Sequence, residues 1–148
     1  QQFLPLLGAY RGAPEPRGRI VMIGSVSGRI AYPFFGAYAA SKHALHGFFD
    51  SLRAENYKQN IFVTIAVPGF IRTNISLNAV TETGESLNKM DEAQEKGMAP
   101  EKCAKLIANG VVSQKNEVLI GGKERIAVYL KRFFPNWFAK FIRKAKVR

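Results

Sequence analysis

Three short apolar runs, each closed by glycine or proline, punctuate the chain. They are "GRIVMIG" (Gly18–Gly24), "IFVTIAVPG" (Ile61–Gly69) and "NEVLIGG" (Asn116–Gly122). All are rich in Val and Ile and too short for a buried helix, so they predict three buried strands. After the first, "SVSGRIAYPFFG" is irregular. Apolar positions then recur at helical spacing: Ala40, Ala44, Leu45, Phe48, Phe49 and Leu52 form the expected inner face of a helix over 37–58. "MAPEKCAKLIANGVV" (Met98–Val112) has Pro100 at an early helical position and Glu101 in the first turn, then Cys103, Ala104, Ile107, Ala108 and Val111 on an apolar stripe. Residues 71–98 are long, polar and only weakly helical. From Lys123 onward the pattern turns basic and aromatic, as two helices interrupted at Pro135. Strands that alternate with helices imply an α/β fold with a parallel sheet.

Composition changes this picture little. Apolar residues make up 47% of the 148 positions and charged residues 22%, which suits one globular domain. Cys103 stands alone, so no intramolecular disulfide can form, and a reducing compartment fits. No apolar run approaches the ~18–20 residues that cross a bilayer, and no signal peptide is visible. The start, "QQFLPLLGAY", lacks Met and reads like the end of a helix begun earlier. The expectation is a truncated chain.

Charge changes it more. The net charge is +11, and residues 123–148 hold nine Lys or Arg against a single acid, Glu124. Such a basic segment suggests an anionic partner surface. In 135–148, Trp137, Phe138, Phe141, Ile142 and Ala145 are expected on one side of a helix, with Lys140, Arg143, Lys144 and Lys146 on the other. That pattern describes an interfacial membrane helix, or equally a helix that packs on its own domain with snorkelling basic stems. No nucleic-acid motif accompanies the charge, and nucleic acid is not an expected partner.

The candidate chemistry starts at "GAYAASKHALHGF". Tyr38 and Lys42 lie four residues apart and share a helix face. A nearby ammonium favours the phenolate, so the phenol would exchange protons as a general acid or base. Small residues between them leave room for a bulky ligand. Ser25 follows the first strand, at the sheet edge where open α/β sheets bind ligands; Ser27 is the less well spaced alternative. "VPGFIRT" brings Gly69 and Thr73 to the same edge. Phe34, Phe35 and Phe70 flank this region, either as an apolar substrate wall or as ordinary core. His43, His46 and Cys103 read as structural, and Asp91, Glu92 and Glu95 as a solvated helix face. No His/Cys cluster has metal-ligand spacing, and no metal is expected.

"GSVSG", "YAASK" and "PGFIRT", in this order and spacing, resemble the C-terminal half of a short-chain dehydrogenase/reductase. The later "KMDEAQEKGMAPEKCA…EVLIGGKE…YLKRFFP" is similar to bacterial relatives of the member 7B-type branch. The resemblance implies a Rossmann-like parallel sheet with flanking helices, incomplete because the N-terminal half of the doubly wound fold is missing. It divides the chain into 1–122, the C-terminal half of a dinucleotide-binding domain, and 123–148, basic amphipathic helices. It implies catalytic roles for Ser25, Tyr38 and Lys42. Tyr38 would pass a proton to or from the substrate oxygen, Ser25 would hydrogen-bond that oxygen, and Lys42 would bind the nicotinamide ribose. Pro68, Gly69, Ile71 and Thr73 would complete the cofactor site, and Ser25, Phe35 and Phe70 would meet the substrate. The implied cofactor is NAD or NADP, with NADP favoured although no residue here selects it.

The expected activity is therefore hydride transfer between a nicotinamide and a small apolar, lipid-like alcohol or carbonyl. Expected surroundings are the cytoplasm or a peripheral membrane site, with a homo-oligomer formed through the Tyr38–Tyr57 helix. The other class of reading is a non-catalytic membrane-associated or dimerisation module that keeps relic site residues. No glycine-rich phosphate turn occurs in the sequence. The isolated chain is accordingly expected to bind dinucleotide poorly.

Overall fold

The computed structural model describes residues 18–59, 61–75, 84 and 92–145. Three strands form one parallel sheet in the order β1 (Arg19–Ile23), β2 (Phe62–Pro68) and β3 (Glu117–Ile120). Each lies inside one of the three apolar runs. β2 is central, which explains its unbroken apolar sequence: Val63 through Val67 are all buried. A 3-10 turn (Val26–Gly28) follows β1. The helices are α1 (Gly36–Asn56), the short α2 (Glu92–Glu95), α3 (Pro100–Val112), α4 (Glu124–Phe133) and α5 (Pro135–Ile142). This is the expected Rossmann-like architecture in partial form.

The register Met22↔Ile65 and Ile23↔Ala66 sorts side chains onto two faces. On one face Met22, Ile65 and Val67 form the core with Val26, Ile30 and Phe138, and α1, α4 and α5 pack around it through Leu45, Phe49, Val128, Leu130 and Ile142. On the other, α3 lies over β2 and β3, where Gly110 comes so close to Val118 that no Cβ would fit. The end of α3 meets β1 at Arg19, whose Nη1 donates to the Val111 carbonyl, while Val21 stays 38% and Ile23 52% exposed. Cys103 is buried in α3, and burial raises its thiol pKa, in keeping with a structural role.

Two faces differ from the sequence reading. α1 packs through Ala39, Leu45, His46, Phe49, Leu52 and Asn56, while Ala40, Ala44 and Phe48 point to solvent. Both sides of this helix carry small or apolar residues, so spacing alone did not separate them. His46 becomes the inner residue because Gly28 opposite lacks a side chain; an added Cβ would lie 2.6 Å from the His46 ring. The tail also divides. Phe138 is buried and Ile142 half-buried against the core, whereas Trp137 and Phe141 stay outside, so the five apolar residues do not share one side.

Arg53 fastens α1 in place. Its Nε donates to the Val63 carbonyl at 2.9 Å and its Nη2 to the Asn116 carbonyl at 3.0 Å. Those carbonyls lie at the beginnings of β2 and β3. The opposite end of α1, which carries Tyr38, therefore reaches the edge where the strands finish.

Candidate active site

That edge is built by three strand ends. Gly24 N–H donates to the Ala66 carbonyl and Gly69 N–H to the Ile120 carbonyl, both at 2.8 Å, so the ladder continues to the last residue before each loop. Ser25 leaves β1 with extended backbone, and its Oγ accepts from the Ser27 N–H at 3.1 Å, capping the 3-10 turn. The cap uses the oxygen as acceptor and leaves the hydroxyl proton available to a ligand. Ser27 is buried and Ser25 is more open. The turn sits directly on α1: a Cβ on Gly28 would lie 3.0 Å from the Lys42 carbonyl. Ser25 and the Tyr38–Lys42 face are thus parts of one packed unit.

Tyr38 stands in the first turn of α1 and is 45% exposed. Its ring meets Phe35 edge-on at 6.5 Å. The Lys42 ammonium lies 5.6 Å from the ring centroid, as one helical turn allows. Phe34, immediately before, is fully exposed and has φ of 67°, a left-handed conformation that is strained for an aromatic residue. Phe35 and Phe70 are each more than a third exposed. None of the three is core.

The loop after β2 is held from two sides. Ile71 forms a parallel bridge with Met98: Met98 N–H donates to the Phe70 carbonyl and Arg72 N–H to the Met98 carbonyl, each at 2.9 Å. This geometry turns the N–H and C=O of Ile71 itself away from Met98, and among the described residues they have no hydrogen-bond partner. A donor and an acceptor side by side on extended backbone match a planar primary amide. Thr73 is exposed just beyond.

Glu124 holds the other side, and the sequence reading missed it. Its Oε1 accepts from Phe70 N–H at 3.2 Å and from Gly122 N–H at 3.0 Å. Gly69 and Gly121 both approach it so closely that a Cβ on either would collide with the carboxylate. Gly121 also has φ of 145°. One acid therefore ties the loop after β2 to the loop after β3. The available signal was its place as the lone acid of a basic segment, directly behind a glycine pair. Tyr32 lies near enough that Glu124, after burial, helps raise its pKa.

Glu92 is exposed and pairs with Lys96, as a solvated helix face would; Asp91 lies outside the described residues. Among the described residues no three His, Cys, Asp or Glu side chains come together.

Comparison with known proteins decides the class. A family model described as short chain dehydrogenase matches residues 2–84, more than half of the chain. The chain belongs to the short-chain dehydrogenase family. Among curated short-chain dehydrogenases, it is 45% identical over 127 residues to dehydrogenase/reductase SDR family member 7B of Xenopus tropicalis, a match covering 85% of this chain and 41% of that protein. It is 41% identical over 132 residues to the SDR family protein 7-like of Drosophila melanogaster, covering 88% of this chain and 40% of the relative. The chain thus spans about two fifths of the length of these relatives. Among solved structures, a Burkholderia cenocepacia short chain dehydrogenase in complex with NADP superposes with a TM-score of 0.69 at 19% identity, over 86% of this chain and 48% of the other. A Streptomyces avermitilis short-chain dehydrogenase gives 0.65 at 24% identity, over 97% and 56%. At these identities the structural likeness establishes the fold.

Proposed function

We propose that residues 18–122 supply the catalytic and substrate half of an NAD(P)-dependent oxidoreductase acting on an apolar alcohol or carbonyl, with Ser25, Tyr38 and Lys42 as its catalytic group. The observation that carries this reading is the meeting of the Ser25 turn, the first turn of α1 and the Pro68–Thr73 loop on one sheet edge. The Tyr38 hydroxyl donates a proton to the substrate carbonyl oxygen, or accepts one from an alcohol in the reverse direction. The Ser25 hydroxyl hydrogen-bonds the same oxygen and stabilises the charge that develops there. Lys42 holds a ribose hydroxyl and keeps a positive charge beside the phenol. The free N–H and C=O of Ile71 suit the carboxamide of a nicotinamide, with Pro68, Gly69 and Thr73 beside it. A bound nicotinamide supplies or accepts the hydride. Phe35 and Phe70 present exposed rings to an apolar substrate.

Tyr38→Phe tests this in the longest natural reading frame containing the sequence. Turnover should fall by about 10²–10⁴-fold with NAD(P)H binding retained. Unchanged turnover removes Tyr38 from the mechanism, and absence of turnover in the unsubstituted frame favours the non-catalytic module. α1 also offers an exposed face of Ala40, Ala44, Phe48 and Ser51, which supports its use as a homo-oligomer contact.

A further inference from the structure

The reductase reading leaves the C-terminal helices unused. α4 exposes Ile126, Tyr129 and Phe133 at i, i+3, i+7, and α5 with its preceding residue exposes Phe134, Trp137 and Phe141 at the same spacing. All six are half or more exposed. The two stripes meet at Phe133–Phe134, where Pro135 starts the second helix. Trp137 and Phe141 stack at 5.3 Å with their planes 8° apart, so the outer ridge is already ordered without a partner. The inner faces of the same helices, through Val128, Leu130 and Phe138, are spent on the core. The outer row is therefore not needed for folding.

Its rim is cationic. Lys123, Arg125, Arg132, Lys140, Arg143 and Lys144 are all exposed, and none pairs with a carboxylate among the described residues. The one carboxylate of the segment, Glu124, is committed to the Phe70 and Gly122 amides. Lys131 is likewise spent, donating to the Arg29 carbonyl at 2.8 Å. An aromatic row framed by unpaired cations complements a surface that is apolar inside and negative outside. At 10 and 8 residues the helices are only ~12–15 Å long, and no helix among the described residues is long and apolar enough to cross a bilayer.

We propose that α4 and α5 form a peripheral docking face for an anionic lipid bilayer, lying in the interface with the aromatic row at the acyl boundary and the Lys and Arg heads among the phosphates. The surface lies on the opposite side of α4 from its core contacts and is independent of the Tyr38 chemistry.

Trp137 is the sole tryptophan of the chain, so its emission reports on this face alone. The purified chain is mixed with phosphatidylcholine vesicles, with or without about one-third phosphatidylserine. The anionic vesicles should pellet the protein and shift Trp137 emission to the blue, and added salt should reverse both. Lys140→Gln with Lys144→Gln should weaken partitioning roughly 25-fold, at about fivefold per charge. Phe141→Ser should weaken it too, with unchanged far-ultraviolet circular dichroism in each case. The proposal is overturned by unchanged emission with phosphatidylserine vesicles. It is overturned equally by a lipid-free blue shift that grows with protein concentration, which assigns the face to a second copy. Equal binding to neutral vesicles by wild type and charge variants overturns it as adhesion without headgroup recognition.

Discussion

His46 concentrates several constraints in one side chain. It is 4% exposed, and among the described residues neither ring nitrogen has a hydrogen-bond partner. Burial lowers its pKa, and the Arg29 charge adds to this; Glu117 and Asp50 oppose it, and His43 adds slightly. The folded state thus prefers neutral imidazole, while the unfolded chain takes up a proton at the ordinary histidine pKa. The stabilisation is present above that ordinary value and is lost as pH falls through the lower folded one. Denaturant melts should show stability declining from pH 7 towards pH 5, by at most about 1.4 kcal/mol per pH unit from this group. His46→Phe should flatten that slope. An equal slope in the variant assigns the effect elsewhere. The sequence marked His46 as structural but could not place it inside, because the deciding residue is Gly28, eighteen positions away. Glu124 was hidden for the same reason: its partner loop lies fifty-four residues upstream.

At the scale of elements, length and closing residues located all three strands, while the central place of β2 came from the structure. α3, with Pro100 and Glu101 at its start, and the break at Pro135 were equally legible. Helix orientation was less so. Ala39 and Ala40 have the same chemistry, and only packing against the 3-10 turn selects Ala39. Trp137 and Phe138 likewise differ by where the core lies. β1 shows the cost of an open flank. Its outer edge has no strand partner among the described residues, and Val21 and Ile23 remain exposed on the face that α3 covers over β2 and β3. An edge of this kind recruits other chains. Ile23→Lys should therefore reduce concentration-dependent association of the isolated chain, read by light scattering, without lowering its melting temperature. A loss of melting temperature would mean that Ile23 is covered by the chain itself.

At the scale of the whole molecule, the chain spans about two fifths of the length of its relatives, and what it can hold depends on which contacts its own residues supply. In the proposed reading, the residues on the sheet edge serve the reacting end of a nicotinamide: Tyr38 as proton donor, Lys42 as ribose contact and the Ile71 backbone as amide complement. They offer little to the pyrophosphate, whose binding in doubly wound sheets comes from a glycine-rich turn opening onto a helix N-terminus. The sequence has no such turn, and the glycines it does place at the edge are filled from within, Gly69 and Gly121 by the Glu124 carboxylate. A carboxylate there also repels phosphate rather than attracting it. The 148-residue chain should accordingly show no saturable NADPH binding at micromolar concentrations by fluorescence titration or calorimetry. The longest natural reading frame containing it should bind, and Tyr38→Phe in that frame should bind equally well. Micromolar affinity in the 148-residue chain would mean that these residues hold the dinucleotide without a phosphate turn. The division of labour between a phosphate-holding half and a proton-transferring half would then fail.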